Sequence, residues 1–333
     1  MFDLIVIDEA NAYKNVQTKR WKLMNKLVTD KTWLWMLTGT PAAQSPVDAY
    51  GLGKLCSPER APRFFGDFRE SVMQNFGMYR WEPRPDAEKT VHELLQPAIR
   101  YSKADCLDLP PITHVYREAP LTPTQRKYYQ ELKNQMLLET AGEEISSVNA
   151  AARMNKLLQI SCGAVYSDSG AVVHFDVSER LRVIEEVVNE TSNKVLIFVP
   201  FRHTIELLHE HLVKAGITAE VIHGDVGMRQ RSDAFKRFQE KREPKVLVIQ
   251  PQAASHGVTL TAADVVIWYA PVTSTETYLQ ANARIDRPGQ KNAMTIVHVE
   301  GSPIEKKLYR MLQSKITNHT KVIDLYKKEL ADT

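Results

Sequence analysis

From about residue 177 onward, short apolar runs alternate with amphipathic helical stretches, and no other feature of the chain restricts its fold as strongly. "SERLRVIEEVVNE" reads as a helix, "KVLIFVP" (194–200) as a strand, and "HTIELLHEHLVKAG" as a helix stopped by Gly216. "TAEVIHG" (218–224) reads as a strand, "MRQRSDAFKRFQE" as a basic helix, and "KVLVIQP" (245–251) and "ADVVIWYAP" (263–271) as two further strands. "STETYLQANARIDR" opens with a Ser/Thr cap, "MTIVHVEG" (294–301) is a strand, and "SPIEKKLYRMLQSKITN" is the last helix. Five strands alternating with helices over about 150 residues suffice for one complete open α/β domain with a parallel sheet.

The N-terminal part is sparser. "LIVID" (4–8) reads as a buried strand, 17–28 as a helix with a basic face, and "WLWMLTGTP" (33–41) as a second apolar run broken at Gly39 and Pro41. The middle holds nine prolines between Pro58 and Pro123 and reads as short helices and loops rather than sheet. Helices are expected over 122–142 and 149–163. Two strands are few for a parallel sheet that needs both faces covered, so the first domain is expected to be incomplete.

The totals exclude several classes. The 333 residues are 43% hydrophobic and 25% charged, as in a soluble globular protein. A net charge of +3 permits a nucleic-acid partner without arguing for one. Cys56, Cys106 and Cys162 lie far apart, in neither a metal-ligand nor a disulfide spacing, so a reducing compartment is expected. No apolar run approaches the length of a membrane span and no secretion signal is read, so the chain is expected in the cytoplasm.

Four stretches could carry chemistry. Asp8 and Glu9 end a strand, where the first carboxylate could hold Mg²⁺ and the second polarise a water; the plain alternative is two solvated acids. Thr38, Gly39, Thr40 and Pro41 follow the second strand at the edge where open α/β sheets bind ligands, or form a simple turn. In "QANARIDRPGQ" (280–290), Arg284 and Arg287 are three apart and fall on one side, bracketed by Gln280 and Gln290; two guanidiniums suit a phosphoryl transition state, and a basic helix end equally well. In "QPQAASHGVTLTAADVVIWY" (250–269), Ser255, His256, Gly257, Thr259 and Thr261 make a small-residue loop that a phosphate could approach, or a strand–helix joint.

Taken in order, "DEAN" with "KN", "LTGTP", "KVLIFVP", "VIHGDVGMRQR", "ASHGVTLTAADVVIWY" and "QANARIDRPGQ" resemble the second half of the motif series of superfamily-two helicase-like ATPases. The Swi/Snf-related branch of DNA translocases is the most similar, and "LPPITHVYREAPLTPTQRKYYQEL" (109–132) also looks like that branch, whose members have a similar proline pair, strand and Gln–Tyr-bearing helix between the lobes. The form of 250–290 resembles phage members. The resemblance implies two RecA-like parallel-sheet lobes, the first incomplete: 1–60 the remainder of lobe one, 61–175 a helical insertion and linker, 176–333 lobe two. It implies that Asp8 binds Mg²⁺, Glu9 activates the hydrolytic water, and Thr38 and Thr40, with Gly39 between them, couple the ATP site to a DNA track. It implies that Arg284 and Arg287 reach the nucleotide, Arg287 as the arginine finger. Asn11, Gly257, Thr259 and Gln290 would lie toward the lobe interface, and Arg202, His203, His223, Arg229 and Arg231 near the DNA path. The implied function is ATP-driven movement on double-stranded DNA.

Three positions depart from the pattern. Asn11 stands where the family usually has His, and Ala283 where it usually has Gly. No phosphate loop of the G-x-G-K-[ST] kind is found: "GLGK" (51–54) follows "LTGTP", is followed by Leu55, and reads as a helix segment. Losing such charged contacts costs roughly a thousandfold or more in affinity or rate, so little ATP hydrolysis is expected from this chain alone. A split gene, an incomplete reading frame, or a separate polypeptide that assembles with it would account for the missing half-lobe, and the strand at 4–8 would then sit at an edge with an exposed apolar side. The alternative is a non-hydrolysing DNA- or partner-binding remnant of such a motor. A hydrolase of the nucleophile-elbow type is disfavoured, since no G-x-S-x-G occurs.

Overall fold

The computed structural model describes residues 2–39, 41–42, 45–77, 81–101, 106–140, 147–166, 172–254 and 257–313. The chain divides into two units, one formed by residues up to 102 and the other by 103–316.

In the second unit, six parallel strands run in the order β5-β12-β11-β8-β10-β9. They are β5 (Ile112–Glu118), β8 (Lys194–Phe198), β9 (Ala219–Ile222), β10 (Val246–Ile249), β11 (Ala263–Trp268) and β12 (Met294–Glu300), while β6 (Ala164–Tyr166) and β7 (Val172–His174) form a separate antiparallel pair. The near-continuous Val, Ile and Leu of β8 and β10 are what a strand covered on both faces requires. Side chains alternate between two cores. Val195, Ile197, Val248, Ile267 and Val297 face α7 (Ser178–Glu190) and α8 (Arg202–Lys214). Leu196, Phe198, Leu247, Val266 and Trp268 face α9 (Met228–Glu240), α10 (Thr275–Asn282) and the helix at 303–313. The chain leaves β8 toward β9 and returns to β10, and right-handed crossovers then place α8 and α9 on opposite faces. The expected open α/β domain is therefore present, and its five expected strands end within a few residues of where the sequence reads them.

Two corrections concern sheet. The proline-rich middle contains a small antiparallel pair, β3 (Met73–Asn75) with β4 (Trp81–Pro83), and it contributes β5, which pairs with β12 over seven residues. Pro110 and Pro111 stop just before β5, so neither withdraws a donor from the ladder. Helices α5 (Pro123–Thr140) and α6 (Ser147–Cys162) match expectation.

The other correction is in the first unit. β1 (Leu4–Ile7) pairs in parallel with β2 (Trp33–Met36), with Leu4 opposite Trp33 and Val6 opposite Trp35. Ile5, Ile7, Leu34 and Met36 pack on Leu52 and Ala10. The other face is open: Leu4, Val6, Trp33 and Trp35 are 48, 51, 73 and 57% exposed. The run that reads as a buried strand is thus buried on one side. Around this sheet lie α1 (Lys19–Leu27), α2 (Ala49–Cys56), α3 (Phe65–Val72) and α4 (Ala87–Leu95). Thr18 caps α1 by accepting the Trp21 N–H at 3.2 Å. "GLGK" lies inside α2.

His298, in the middle of β12, is fully buried. Its Nδ1 donates to the Val115 carbonyl at 3.3 Å, so its Nε2 accepts from the Tyr278 hydroxyl at 2.7 Å. Burial, with His114 stacked beside it, lowers the imidazole to about 4. An unfolded histidine binds its proton near pH 6.5, so between about 6.5 and 4 the unfolded chain holds more protons, and stability falls as pH falls through that window. The expected loss is about 3 kcal/mol from this group. His298→Gln should flatten the dependence of the urea midpoint on pH between 6.5 and 4; an unchanged slope would remove His298 as its source.

Candidate functional site

In the first unit, the ends of the two strands are locked together. The Leu37 N–H donates to the Ile7 carbonyl at 2.8 Å and the Ala10 N–H to the Leu37 carbonyl at 2.9 Å. Asp8 and Glu9 emerge between these bonds, both exposed. The Glu9 N–H donates to Asp8 Oδ1 at 2.9 Å, which orients that carboxylate. Glu9 has φ 51° and ψ 50°, the one non-glycine residue with positive φ among the described residues. A left-handed glutamate costs on the order of 1–3 kcal/mol, a strain that concentrates at functional sites. A single 3₁₀ turn, Ala10–Tyr13, follows and buries Asn11. Thr38 and Gly39 extend from β2, Thr38 half-buried and Gly39 exposed; Thr40 lies outside the described residues.

Asp8 offers hard oxygen at a strand end. Mg²⁺ is usually held by one or two carboxylates, with waters and substrate phosphates completing its shell, so this donor chemistry fits that ion. No cluster of three or more His, Cys, Asp or Glu able to form a protein cage occurs among the described residues.

In the second unit, two separated segments are stitched together. The Leu260 N–H donates to the Arg284 carbonyl at 2.9 Å. Arg287 donates through one terminal nitrogen to the Gly257 carbonyl at 3.0 Å and to Thr259 Oγ1 at 3.3 Å. Arg284 reaches the Val258 carbonyl at 3.5 Å. The three-residue spacing therefore does put both guanidiniums toward one segment. They differ in exposure: Arg284 is 2% exposed, Arg287 only half-buried. Gly257 has φ +47°, a conformation that favours glycine. Ala283 closes α10 in the right-handed helical region, where a glycine is not required. Gln290 is buried: its Nε2 donates to the Ala263 and Ile285 carbonyls at 2.8 and 3.3 Å, and its Oε1 accepts from the Lys291 and Asn292 amides. Ser255 and His256 lie outside the described residues.

A third group follows the carboxyl ends of β8 and β9. Arg202 begins α8, ion-pairs with Asp225 and lies 3.7 Å from Glu206. His203 stacks on Phe201, and burial, with His174 nearby, holds its imidazole below the usual histidine range. His223 Nδ1 accepts the Asp225 N–H at 3.3 Å. Arg229 is exposed in the first turn of α9. Arg231 points back into its own loop, donating to the Gly224 and Val226 carbonyls at 2.6 and 2.8 Å. Two contacts had no counterpart in the sequence reading. Gln239 bonds Thr261 and Ala262 at 3.1 Å each, and Asn282 bonds Trp268 at 2.9 Å. A glutamine beside the apolar face of α9 was the available signal for the first; an asparagine at a helix end gave none for the second.

The family model for the SNF2-related domain matches residues 2–162, and that for the helicase conserved C-terminal domain matches residues 179–289. The chain carries an SNF2-related domain followed by a helicase C-terminal domain. Chromodomain-helicase-DNA-binding protein 1-like of Mus musculus is 25% identical to this SNF2-related chain over 336 residues, covering 97% of it and 36% of the mouse protein. An uncharacterized ATP-dependent helicase of Mycoplasma pneumoniae is 26% identical over 307 residues, covering 90% and 28%. The SNF2-related chain thus spans roughly a third of the length of these curated relatives. The Sulfolobus solfataricus SWI2/SNF2 ATPase core in complex with dsDNA is 24% identical, covers 96% of this chain and 68% of its own, and superposes with a TM-score of 0.49. None of these relatives supports the resemblance to phage members. No helix among the described residues is long and apolar enough to cross a membrane.

Proposed function

We propose that this chain is part of an ATP-driven motor that moves on double-stranded DNA. The observation that carries the reading is the Asp8–Glu9 pair: two exposed carboxylates at the carboxyl end of a parallel strand, the second held in a left-handed conformation. Asp8 would hold Mg²⁺, which when bound neutralises charge on the phosphates. Glu9 would orient and deprotonate the attacking water. Arg287, half-buried and fastened to Gly257 and Thr259, would supply positive charge to the transferring phosphoryl group, with Arg284 holding the same segment from behind. Asn11, buried next to the acids, and Gln290, which staples the arginine turn to β11, would keep these segments in place. Thr38, Gly39 and Thr40 would couple the acidic end to the DNA. Arg202, His223 and Arg229 would meet the DNA backbone.

Supporting an ATPase class are the SNF2-related and helicase C-terminal matches. We infer further that a polypeptide of these 333 residues turns over ATP poorly alone, because no G-x-G-K-[ST] stretch occurs in it. A second polypeptide carrying that loop would complete the site, and the open apolar face of β1 and β2 is where it would pack. The test is ATP hydrolysis with and without duplex DNA, for the chain alone and co-expressed with a half-lobe bearing a phosphate loop. DNA-stimulated turnover is expected only in the pair, and Glu9→Gln should lower it by about 100-fold or more. Turnover by the chain alone at the level of the pair would overturn the two-part reading. DNA binding with steep salt dependence, without hydrolysis in either preparation, would favour the remnant.

A further inference from the structure

Asn282 is a buried amide in an otherwise apolar and aromatic setting, at the last residue of α10. Its Oδ1 accepts the Trp268 indole N–H at 2.9 Å, at the end of β11. Its side chain also hydrogen-bonds the Tyr278 hydroxyl one turn earlier. That hydroxyl donates to His298 on β12, whose other ring nitrogen reaches β5. One polar relay therefore crosses four elements and ends at the residue from which the arginine turn begins. The Asn282 carbonyl accepts the Ile285 N–H at 3.3 Å, inside that turn.

Packing is not alone in setting the angular register of α10. Its buried face is Thr275, Tyr278, Ala281 and Asn282, and beyond that packing the helix is held by directional bonds, from Tyr278 to His298 and from Trp268 to Asn282. A directional bond from a buried indole does set it, because turning the helix would leave the Trp268 N–H without a partner. Arg284 and Arg287 lie two and five residues beyond Asn282, so a rotation of α10 is passed to them through the short turn 283–287.

We propose that Asn282 is a positioning residue that fixes the arginine turn through Trp268, the effect on turnover resting on the ATPase reading given above. Two measurements separate this proposal from that reading. In the 333-residue chain without nucleotide, hydrogen exchange of the Leu260 and Gln290 amides, bonded to the Arg284 and Arg287 carbonyls, reads the turn directly. Asn282→Leu, with the same number and branching of side-chain heavy atoms, is expected to speed their exchange about tenfold relative to the β8 and β10 amides. The double variant Trp268→Phe/Asn282→Leu removes the unpartnered indole and should recover global stability while leaving that exchange fast. In the two-part ATPase, Asn282→Leu should lower kcat about tenfold with KM for ATP unchanged. Unchanged exchange at Leu260 and Gln290, or an increase matched by β8 and β10, overturns the proposal whatever the ATPase shows. Faster local exchange without any hydrolysis by the wild-type pair would leave the positioning role standing and remove the ATPase reading.

Discussion

Replacing Glu305 by alanine is expected to destabilise the second unit by about 3–5 kcal/mol. Glu305 lies under 1% exposed and pairs with Arg180, itself buried, at 2.8 Å. Its other oxygen accepts the Gly301 N–H at 2.8 Å and the Ser302 N–H and hydroxyl at 2.9 Å each, so Glu305 caps the start of the helix at 303–313. Arg180 also donates to the Tyr269 carbonyl, and the surrounding acids and hydroxyls keep it charged despite burial. Removing the carboxylate leaves a cation in a dry core with one neutral acceptor and uncaps a helix, so the two penalties fall together. Glu305→Gln keeps an acceptor for the amides and should cost less. Arg180→Met/Glu305→Leu removes both charges and should regain much of the loss. The measurement is urea-dependent hydrogen exchange of the β10 amides. A coupling energy near zero in the double-mutant cycle would refute this account.

The second large effect is expected at Gly51, the first glycine of the phosphate-loop lookalike. A Cβ there would lie 2.3 Å from the Lys14 carbonyl oxygen and 2.4 Å from that of Tyr13. Both are backbone atoms at the end of the turn that follows Asp8 and Glu9, so neither yields by a side-chain rotation. The Gly51 carbonyl also accepts the Trp21 indole N–H at 2.8 Å. Gly51→Ala must therefore push α2 away from the acidic turn and from α1. A loss of about 1–3 kcal/mol is expected, measured as a lowered thermal midpoint of the first unit. Gly53→Ala meets only the Leu94 side chain and should be milder. Gly66→Ala, in α3 with nothing within 4 Å, should stabilise by about 0.5 kcal/mol and serves as control. A Gly51→Ala protein as stable as wild type would mean that this close approach does not matter.

Most of the fold was legible where period and punctuation agreed. β8 and β10 are short Val/Ile/Leu runs set among amphipathic helices, and α7 and α9 begin and end where read. β5 was legible only through the family resemblance of 109–132, because by composition a seven-residue strand with His114, Tyr116 and Arg117 resembles an exposed linker until its partner β12 is known. That β1 has an open side followed from its missing neighbours, but which side chains form it did not. "LIVID" has the composition of a strand buried on both sides, and only the register with Trp33 and Trp35 shows which side chains remain open. For the candidate site, the positions of Asp8, Glu9, Arg284 and Arg287 followed from motif order. The fastening of Arg287 to Gly257 and Thr259 did not, because it joins segments about 30 residues apart. Asn282 was invisible for a different reason: an asparagine at a helix end reads as solvated until the Trp268 indole is placed beside it.

The open sheet face makes the chain report on itself optically. Of its five tryptophans, Trp33 and Trp35 stand exposed on β2, whereas Trp21 and Trp268 are buried. The former emit at long wavelength and are reached by an aqueous quencher such as iodide; the latter emit to the blue and are shielded. Anything that seats itself on the β1–β2 face must therefore shift the red component and protect it from iodide while leaving the Trp268 signal unmoved. Unfolding of the second unit does the reverse. A single emission spectrum thus distinguishes docking on one unit from melting of the other without any introduced label.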